Sequence, residues 1–298
     1  MPIPACEIEK GRIFQPDLHT HTTASDGVLS PTQLVREAEN RGVNLLAVTD
    51  HDTMSGLDEA KSAANELGIG LIPGIEISTE GEDEVHILGF FVRADMEELN
   101  LVIRKLSADR QSRCPRFLAR FNELGLPLTL VDLQIPEGTD CNRPHIARAL
   151  VRKGYVSSVQ EAFDRFLAVG RPGYIPRLRI PTGELVTMLR RAGAVPVLAH
   201  PELIRKQALK TTEHIKSLRD AGLMGIEAWH SKHSKPGCLK WAQTAGELGM
   251  LVTGGSDYHQ QGDSHGELGK MLAWWRGAHE DAVRLLNAKD AMQDEGQG

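Results

Sequence analysis

Nine side chains of the kinds that ligate metals stand within or at the ends of short apolar runs in this chain: His19, His21, Asp26, His51, Glu76, His86, His200, Asp257 and His259. The pattern restricts the fold to one that gathers many strand ends in one place, because ionisable groups are seldom buried unless paired or bound to a metal. His19 and His21, in Asp17-Leu18-His19-Thr20-His21, follow Ile13-Phe14, and a spacing of two points both imidazoles to one side of an extended segment. Asp257 and His259 repeat that spacing after Met250-Leu251-Val252-Thr253. His51 follows Leu45-Leu46-Ala47-Val48, Glu76 lies within the run from Leu71 to Ile77, His86 lies in Val85-His86-Ile87-Leu88, and His200 closes Val195-Pro196-Val197-Leu198-Ala199. Taken singly, a buried histidine such as His86 is more often a hydrogen-bonded core residue than a ligand. Taken together, the nine predict a polynuclear metal site at the mouth of an α/β barrel, and therefore an enzyme.

The 298 residues fit one large α/β domain carrying an insertion. Ser30-Pro31-Thr32-Gln33 predicts a capping box with proline at the first helical position, opening a helix that Gly42 closes. A strand at Leu45, a helix from Leu57 to Leu67, a strand from Ile69 to Ile77 and a hairpin-like partner from Val85 to Phe91 follow. The alternation resumes with helix 183–192, strand 195–199, helix 212–220, strand 223–228, helix 238–248 and strand 250–254. Between them the rhythm breaks, with a turn-rich passage at Pro136-Glu137-Gly138-Thr139-Asp140 and a Gly170-Arg171-Pro172-Gly173 stretch. The expected organisation is a first part of the barrel over 1–94, an inserted, mainly helical cap subdomain over 95–180, a second part over 181–288 and a disordered tail over 289–298.

A net charge of -6 and a pI near 6.1 give no global basic field, which excludes long duplex DNA as an expected partner. Cys6, Cys114, Cys141 and Cys238 are far apart and form no Cys-x-x-Cys pair, against a zinc ribbon, a redox dithiol or a disulfide framework. No apolar stretch approaches the ~20 residues of a membrane span, and the start lacks a basic region followed by an apolar one. A soluble, cytoplasmic monomer with no membrane partner is expected.

Asp17-Leu18-His19-Thr20-His21, Thr49-Asp50-His51-Asp52, Gly74-Ile75-Glu76-Ile77-Ser78, Ala199-His200-Pro201 and Gly255-Ser256-Asp257-Tyr258-His259 resemble, in order and spacing, the polymerase and histidinol phosphatase (PHP) superfamily. Arg143-Pro144-His145-Ile146-Ala147-Arg148 and Gly170-Arg171-Pro172-Gly173-Tyr174 are similar to stretches of its bacterial nucleoside 3',5'-bisphosphate phosphatases, a branch that includes 5'-to-3' exoribonucleases of the ribonuclease AM type. The resemblance implies a distorted (β/α)7 barrel holding three divalent ions. His19, His21, Glu76 and Asp257 would surround the first, Glu76, His86 and His200 the second, and Asp26, His51 and His259 the third, with Asp17 and Asp50 orienting neighbouring imidazoles. Such mixed ligation suits Mn²⁺, the expected ion, or Fe²⁺ or Zn²⁺, with Mg²⁺ also open.

The chemistry implied is phosphoester hydrolysis. The implied substrates are a nucleoside 3',5'-bisphosphate, such as adenosine 3',5'-bisphosphate going to AMP and phosphate, and short 5'-phosphorylated RNA trimmed 5' to 3'. Arg104, Arg110, Arg113, Arg116 and Arg120 lie on a predicted helix, and the i, i+3 spacing of Arg110 and Arg113 suits either a solvated basic face or two guanidinium groups sharing one phosphate. The resemblance assigns Arg110, Arg113 and Arg143 to a 5'-phosphate, with Asn142 adding a hydrogen bond and His145 stacking on the base or binding phosphate. One departure is Glu202-Leu203 after His200-Pro201, where relatives often carry Gly-Arg; an acid there would repel phosphate unless Arg205 turned inward. His214, His230, His233, His265 and His279 read as surface or structural, although His230 and His233 follow a strand and so suit the mouth. Three other functions remain open: a histidinol-phosphate-type phosphomonoesterase, a non-catalytic PHP module serving a polymerase, and a non-catalytic, metal-dependent nucleotide-binding module.

Overall fold

The computed structural model describes residues 13–79, 85–135, 141–262 and 266–295. Seven strands follow one another around a sheet in chain order: β1 (Pro16–Asp17), β2 (Leu45–Val48), β3 (Gly70–Ser78), β4 (His86–Phe90), β5 (Val195–Leu198), β6 (Gly225–His230) and β7 (Leu251–Gly255). All pairings are parallel except those of β4, which runs antiparallel to β3 and β5. The ring is drawn together between its first and last strands, where Leu18 N–H donates to Gly254 O (3.1 Å), His21 N–H to Tyr258 O (2.9 Å) and Asp257 N–H to His19 O (2.9 Å). Gly255 permits that approach, since a Cβ at this position would lie 2.4 Å from the Cβ of His19. The result is the nearly closed α/β barrel that the resemblance implies.

β2 and β5 are buried at every residue, as strands covered by helices should be. The reversal of β4 matters for the site. Its first residue, His86, pairs with Ser78, the last of β3, and so emerges at the rim where the parallel strands end. The helices are α1 (Pro31–Asn40), α2 (Leu57–Leu67), α3 (Glu97–Glu123), α4 (Leu130–Leu133), α5 (Arg143–Arg152), α6 (Val159–Ala162), α7 (Thr182–Arg191), α8 (Thr212–Asp220), α9 (Lys235–Glu247) and α10 (Ala278–Glu295). The expected capping box is formed, with Gln33 N–H donating to Ser30 Oγ (3.2 Å) and Ser30 N–H to Gln33 Oε1 (2.9 Å). Leu34, Val35 and Ala38 of α1 then pack with Leu46 and Val48 of β2 and the alanines of α2, each large side chain contributing about 1.5–3 kcal/mol of burial energy.

Two compact units result. One comprises the described residues up to Asn100 and from Arg179 onward and contains every strand; the other is Leu101–Leu178. The second has its own core, built from Phe117, Phe121, Ile146, Leu150 and Leu167 among others.

Some boundaries differ from expectation. The first strand is Pro16–Asp17 rather than Ile13-Phe14: Ile13 is 72% exposed, and Phe14 N–H is held by His279 Nδ1 at 3.0 Å. α9 starts at Lys235, ahead of 238, because Ser234 Oγ accepts Gly237 N–H (3.1 Å) and caps the helix. Residues 289–295, expected to be disordered, continue α10, where Lys289 Nζ donates to Gly193 O (3.1 Å). The Pro136 to Asp140 passage, His265, Cys6 and residues 296–298 lie outside the described residues. Among those described, no helix is long and apolar enough to cross a membrane.

Candidate metal centre

The barrel rim receives its polar side chains from successive strand ends. His19 and His21 follow β1, on either side of Thr20, which bridges to Tyr258. His51 follows β2 and bridges to Glu76 of β3, His86 opens β4, His200 follows β5, and Asp257 and His259 follow β7. Asp26 comes from the turn after His21.

Four atoms of this set gather tightly. His19 Nε2 is 3.2 Å from Glu76 Oε2 and 3.5 Å from Asp257 Oδ1, and His21 Nε2 is 3.3 Å from each of the same oxygens. Donors ~2.1 Å from one ion stand ~3.0–3.4 Å apart in tetrahedral or octahedral geometry. His21 Nε2 is buried and forms no hydrogen bond, so its spacing is that of a ligand facing a cation. The donor set therefore fits a divalent ion. A second group joins Asp26 with His259 (Oδ1 to Nε2, 3.2 Å), His21 (Oδ1 to Nδ1, 3.8 Å) and His51 (Oδ2 to Nε2, 3.9 Å). The third centres on Glu76, whose Oε1 lies 2.7 Å from His86 Nδ1 and 3.0 Å from His200 Nε2, and whose Oε2 lies 3.1 Å from His51 Nδ1. All nine side chains are thus brought together. Their grouping differs from the implied one in that His51 stands with Glu76 and His86 as well as with Asp26 and His259.

Burial opposes charge at His19, His21, Glu76, Asp257 and His51, and pairing with opposite charge overcomes it at all but the last. Burial would lower the pKa of His19, but Glu227, Glu76 and Asp257 raise it well above the usual imidazole value. His21, likewise buried, is raised to about 10 by Asp257 and Glu76. Burial would raise Glu76, yet His51, His19 and His86 hold it well below the carboxylate range, and Asp257 is held down in the same way by His19 and His21. Burial dominates at His51 and lowers it to about 3. Backbone strain also concentrates here: Asp52 (φ 52°), His200 (φ 26°) and Asp257 (φ 56°) are non-glycine residues in the left-handed region, each at a cost of roughly 1–3 kcal/mol.

The sequence reading missed Glu227 and, while noting that His230 suits the mouth, gave it no role. Glu227 of β6 is fully buried, with Oε1 2.9 Å from His19 Nδ1 and Oε2 accepting His200 N–H at 2.7 Å. His230, at the end of β6, is also fully buried, and its Nε2 lies 3.5 Å from Asp257 Oδ2, with Lys232 Nζ at 4.0 Å from the same oxygen. An acid inside the apolar Leu223-Met224-Gly225-Ile226-Glu227-Ala228 run was the available signal for Glu227.

Three expectations are corrected. Asp17 orients no imidazole; it accepts Ser256 N–H (2.8 Å) and Gly269 N–H (2.9 Å), tying β1 to the segment after β7, and burial raises its pKa to about 6. Asp50 accepts Thr22 N–H (2.7 Å), Thr22 Oγ1–H (2.8 Å) and Ser25 Oγ–H (2.7 Å), shaping the turn after His21 instead. Glu202, expected to repel phosphate, has its carboxylate engaged: it accepts Ser234 N–H and Ser234 Oγ–H, both at 3.0 Å, at the N-terminus of α9, where negative charge is favoured. His233 donates from Nδ1 to Ala228 O (3.0 Å) and accepts Glu202 N–H at Nε2 (3.3 Å), so both nitrogens are occupied structurally.

The expected phosphate-binding residues fall in the Leu101–Leu178 unit. Arg110 and Arg113 lie on α3, Asn142 directly precedes α5, and Arg143 and His145 lie in its first turn. Arg113 is only 4% exposed, its Nε has no hydrogen-bond partner, and burial with Arg177 and Arg143 nearby lowers its pKa to about 10. Asp109 is engaged by Arg116 Nη1 (2.8 Å) and Leu178 N–H (2.9 Å). Arg143 stacks over Phe163 and Tyr174, with centroids at 5.8 and 5.7 Å. Asn142 Oδ1 is buried without a hydrogen bond, and Asn142 N–H donates to His145 Nδ1 (3.4 Å), which leaves the His145 proton on Nε2.

Comparison with known proteins agrees with this geometry. The PHP domain matches residues 17–173. A 5'-3' exoribonuclease of Haemophilus influenzae is 34% identical over 82% of this chain and 89% of its own, and a 3',5'-nucleoside bisphosphate phosphatase of Chromobacterium violaceum is 31% identical over 85% and 90%. A solved structure from Bifidobacterium adolescentis, described as a metal-dependent phosphoesterase, superposes with a TM-score of 0.72 at 32% identity, covering 92% of this chain and 96% of that one. The barrel and its rim of imidazoles and carboxylates are those of a metal-dependent phosphoesterase. The chain belongs to the PHP domain family.

Proposed function

We propose that the protein removes the 3'-phosphate of nucleoside 3',5'-bisphosphates, converting adenosine 3',5'-bisphosphate to AMP and phosphate, and trims short RNA 5' to 3' through the same recognition of a 5'-phosphate. The observation that carries the proposal is the four-atom group of His19, His21, Glu76 and Asp257, spaced as ligands of one ion. Three divalent ions, Mn²⁺ first among the candidates, would be held by that group, by Glu76 with His86 and His200, and by Asp26, His51 and His259. When bound, they would supply Lewis acidity toward the phosphoryl oxygens and the attacking water.

The chain's own residues do the rest. Glu76 offers its two oxygens to different imidazoles and so fixes the spacing of the groups. His259 donates Nδ1–H to Asp257 O (2.9 Å), which leaves its Nε2 lone pair toward Asp26. In the second unit, Arg113 and Arg143, with Arg110, bind the 5'-phosphate, which relieves the repulsion around the buried guanidinium and is gripped bidentately. Asn142 and the Nε2–H of His145 add hydrogen bonds. The names of the exoribonuclease and phosphatase relatives support this choice of substrates.

The test is an assay with Mn²⁺, measuring phosphate release from adenosine 3',5'-bisphosphate and shortening of oligoribonucleotides bearing a 5'-phosphate or a 5'-hydroxyl. Turnover of the bisphosphate and of the 5'-phosphorylated strand is expected, and little of the 5'-hydroxyl strand. Faster release from histidinol phosphate, or EDTA-sensitive nucleotide binding without product, would overturn the reading.

A further inference from the structure

Proximity alone would make His19, Glu227 and His230 a further metal site. Their hydrogen bonds argue otherwise. His230 Nδ1 accepts Lys232 N–H (3.2 Å), which puts the His230 proton on Nε2, toward Asp257 Oδ2. With an ion held by Glu76 and Asp257, His19 Nδ1, 2.9 Å from Glu227 Oε1, would carry the proton and leave the lone pair on Nε2, the nitrogen facing those two carboxylates. Neither imidazole has a lone pair left for a cation at Glu227.

We infer that Glu227 is a positioning residue for the metal centre, one oxygen fixing the tautomer of His19 and the other holding the backbone of His200, so that both rings present Nε2 to Glu76. The inference rests on the reading of the rim as a metal centre. His200 N–H reaches Glu227 Oε2 at 2.7 Å from a residue held at φ 26°, and the ring it steers puts Nε2 3.0 Å from Glu76 Oε1. The His19 and His200 rings stack, with centroids 5.7 Å apart and planes at 19°. Both partners of Glu227 are donors, so a carboxylate satisfies both, whereas the amide oxygen of a glutamine serves only one. A bulge in β6 between Glu227 and Trp229 shifts the register against β7 by one residue. That insertion brings His230 to the same side as Glu227, where strict alternation would have put Trp229.

The test pairs Glu227→Gln with the wild-type protein, each loaded with Zn²⁺. Affinity is read by chelator competition, and the tautomer of His19 from imidazole ¹⁵N shifts. The wild type should show His19 coordinating through Nε2 with its proton on Nδ1, and the variant should bind Zn²⁺ roughly 10- to 100-fold more weakly with an altered His19 pattern. Affinity within about twofold of wild type, with an unchanged His19 pattern, would overturn the inference. Should the variant fail to fold, the wild-type spectrum decides alone, since a proton on His19 Nε2 or coordination through Nδ1 refutes the role. A wild-type protein that takes up no Zn²⁺ removes the metal-centre reading itself, and the role of Glu227 with it.

Discussion

At the barrel rim, buried imidazoles are matched by buried carboxylates, whereas in the Leu101–Leu178 unit Arg113 is buried beside Arg177 and Arg143, with Asp109 already engaged by Arg116. Both regions hold ionisable groups away from water, but they lack different things. The rim carries both signs of charge and still leaves His21 Nε2 without a hydrogen bond, the condition of a site for a cation. The second unit carries surplus positive charge and an unpartnered Arg113 Nε, the condition of a site for an anion.

The largest expected effect comes from removing a rim carboxylate. Asp257→Ala deletes an oxygen shared by His19 and His21, and kcat with Mn²⁺ should fall by about 1000-fold or more, along with the content of bound metal. Activity within tenfold of wild type would show that the four-atom group is not the reacting centre. Arg143→Ala should behave differently, raising KM for adenosine 3',5'-bisphosphate roughly 10- to 100-fold at little cost in kcat, the size expected for lost hydrogen bonds to a charged group. An equal loss in kcat at constant KM would place Arg143 in the chemistry instead and blur the contrast. Arg113→Met sharpens it further. Without phosphate the substitution removes a desolvated charge held among like charges and should raise Tm by a few degrees, about 1 kcal/mol, while abolishing the gain in Tm that millimolar phosphate gives the wild type.

The two regions were also unequally legible in the sequence. The nine rim residues could be found because each sits at the edge of an apolar run, and strand ends in a barrel converge whatever lies between them. Glu227 was missed, and His230 was given no role beyond suiting the mouth, because their common side depends on a bulge, and a one-residue insertion leaves no mark in a period-two pattern. Asp17 and Asp50 were read as partners of imidazoles because acids beside histidines often are; which backbone amides they would meet depended on Ser256, Gly269 and the Thr22–Ser25 turn, all set by tertiary closure. Glu202 looked repulsive in sequence for a related reason, since Ser234 at the head of α9 lies 32 residues away. In the second unit the spacing of Arg110, Arg113, Arg116 and Arg120 was visible, but not that Arg116 and Arg120 are paired with Asp109 and Glu123 while Arg113 is buried.

The last expected effect is read only as a pH dependence and concerns a histidine that belongs to the barrel but not to the implied ligand sets. Burial first, and then His230, lower the pKa of His233 to about 4 from an ordinary value of 6.5. A depressed imidazole stabilises the fold fully only above the unfolded value, where it is neutral in both states, and that contribution is lost as pH falls from 6.5 toward 4, because only the unfolded chain takes up the proton. The loss amounts to at most about 3 kcal/mol. Metal-free protein unfolded in urea at pH 7.5, 6.0 and 5.0 should lose stability with falling pH, and His233→Gln, although less stable at pH 7.5, should lose less across the same interval. His233 bonds to Ala228 O and Glu202 N–H and to none of the nine rim residues, and its titrating neighbour His230, with ring centroids 5.1 Å apart, is present in both proteins. Parallel curves for variant and wild type would assign the acid lability to the rim, and so make the paired charges there, rather than a buried neutral imidazole, the part of the barrel that acid opens first.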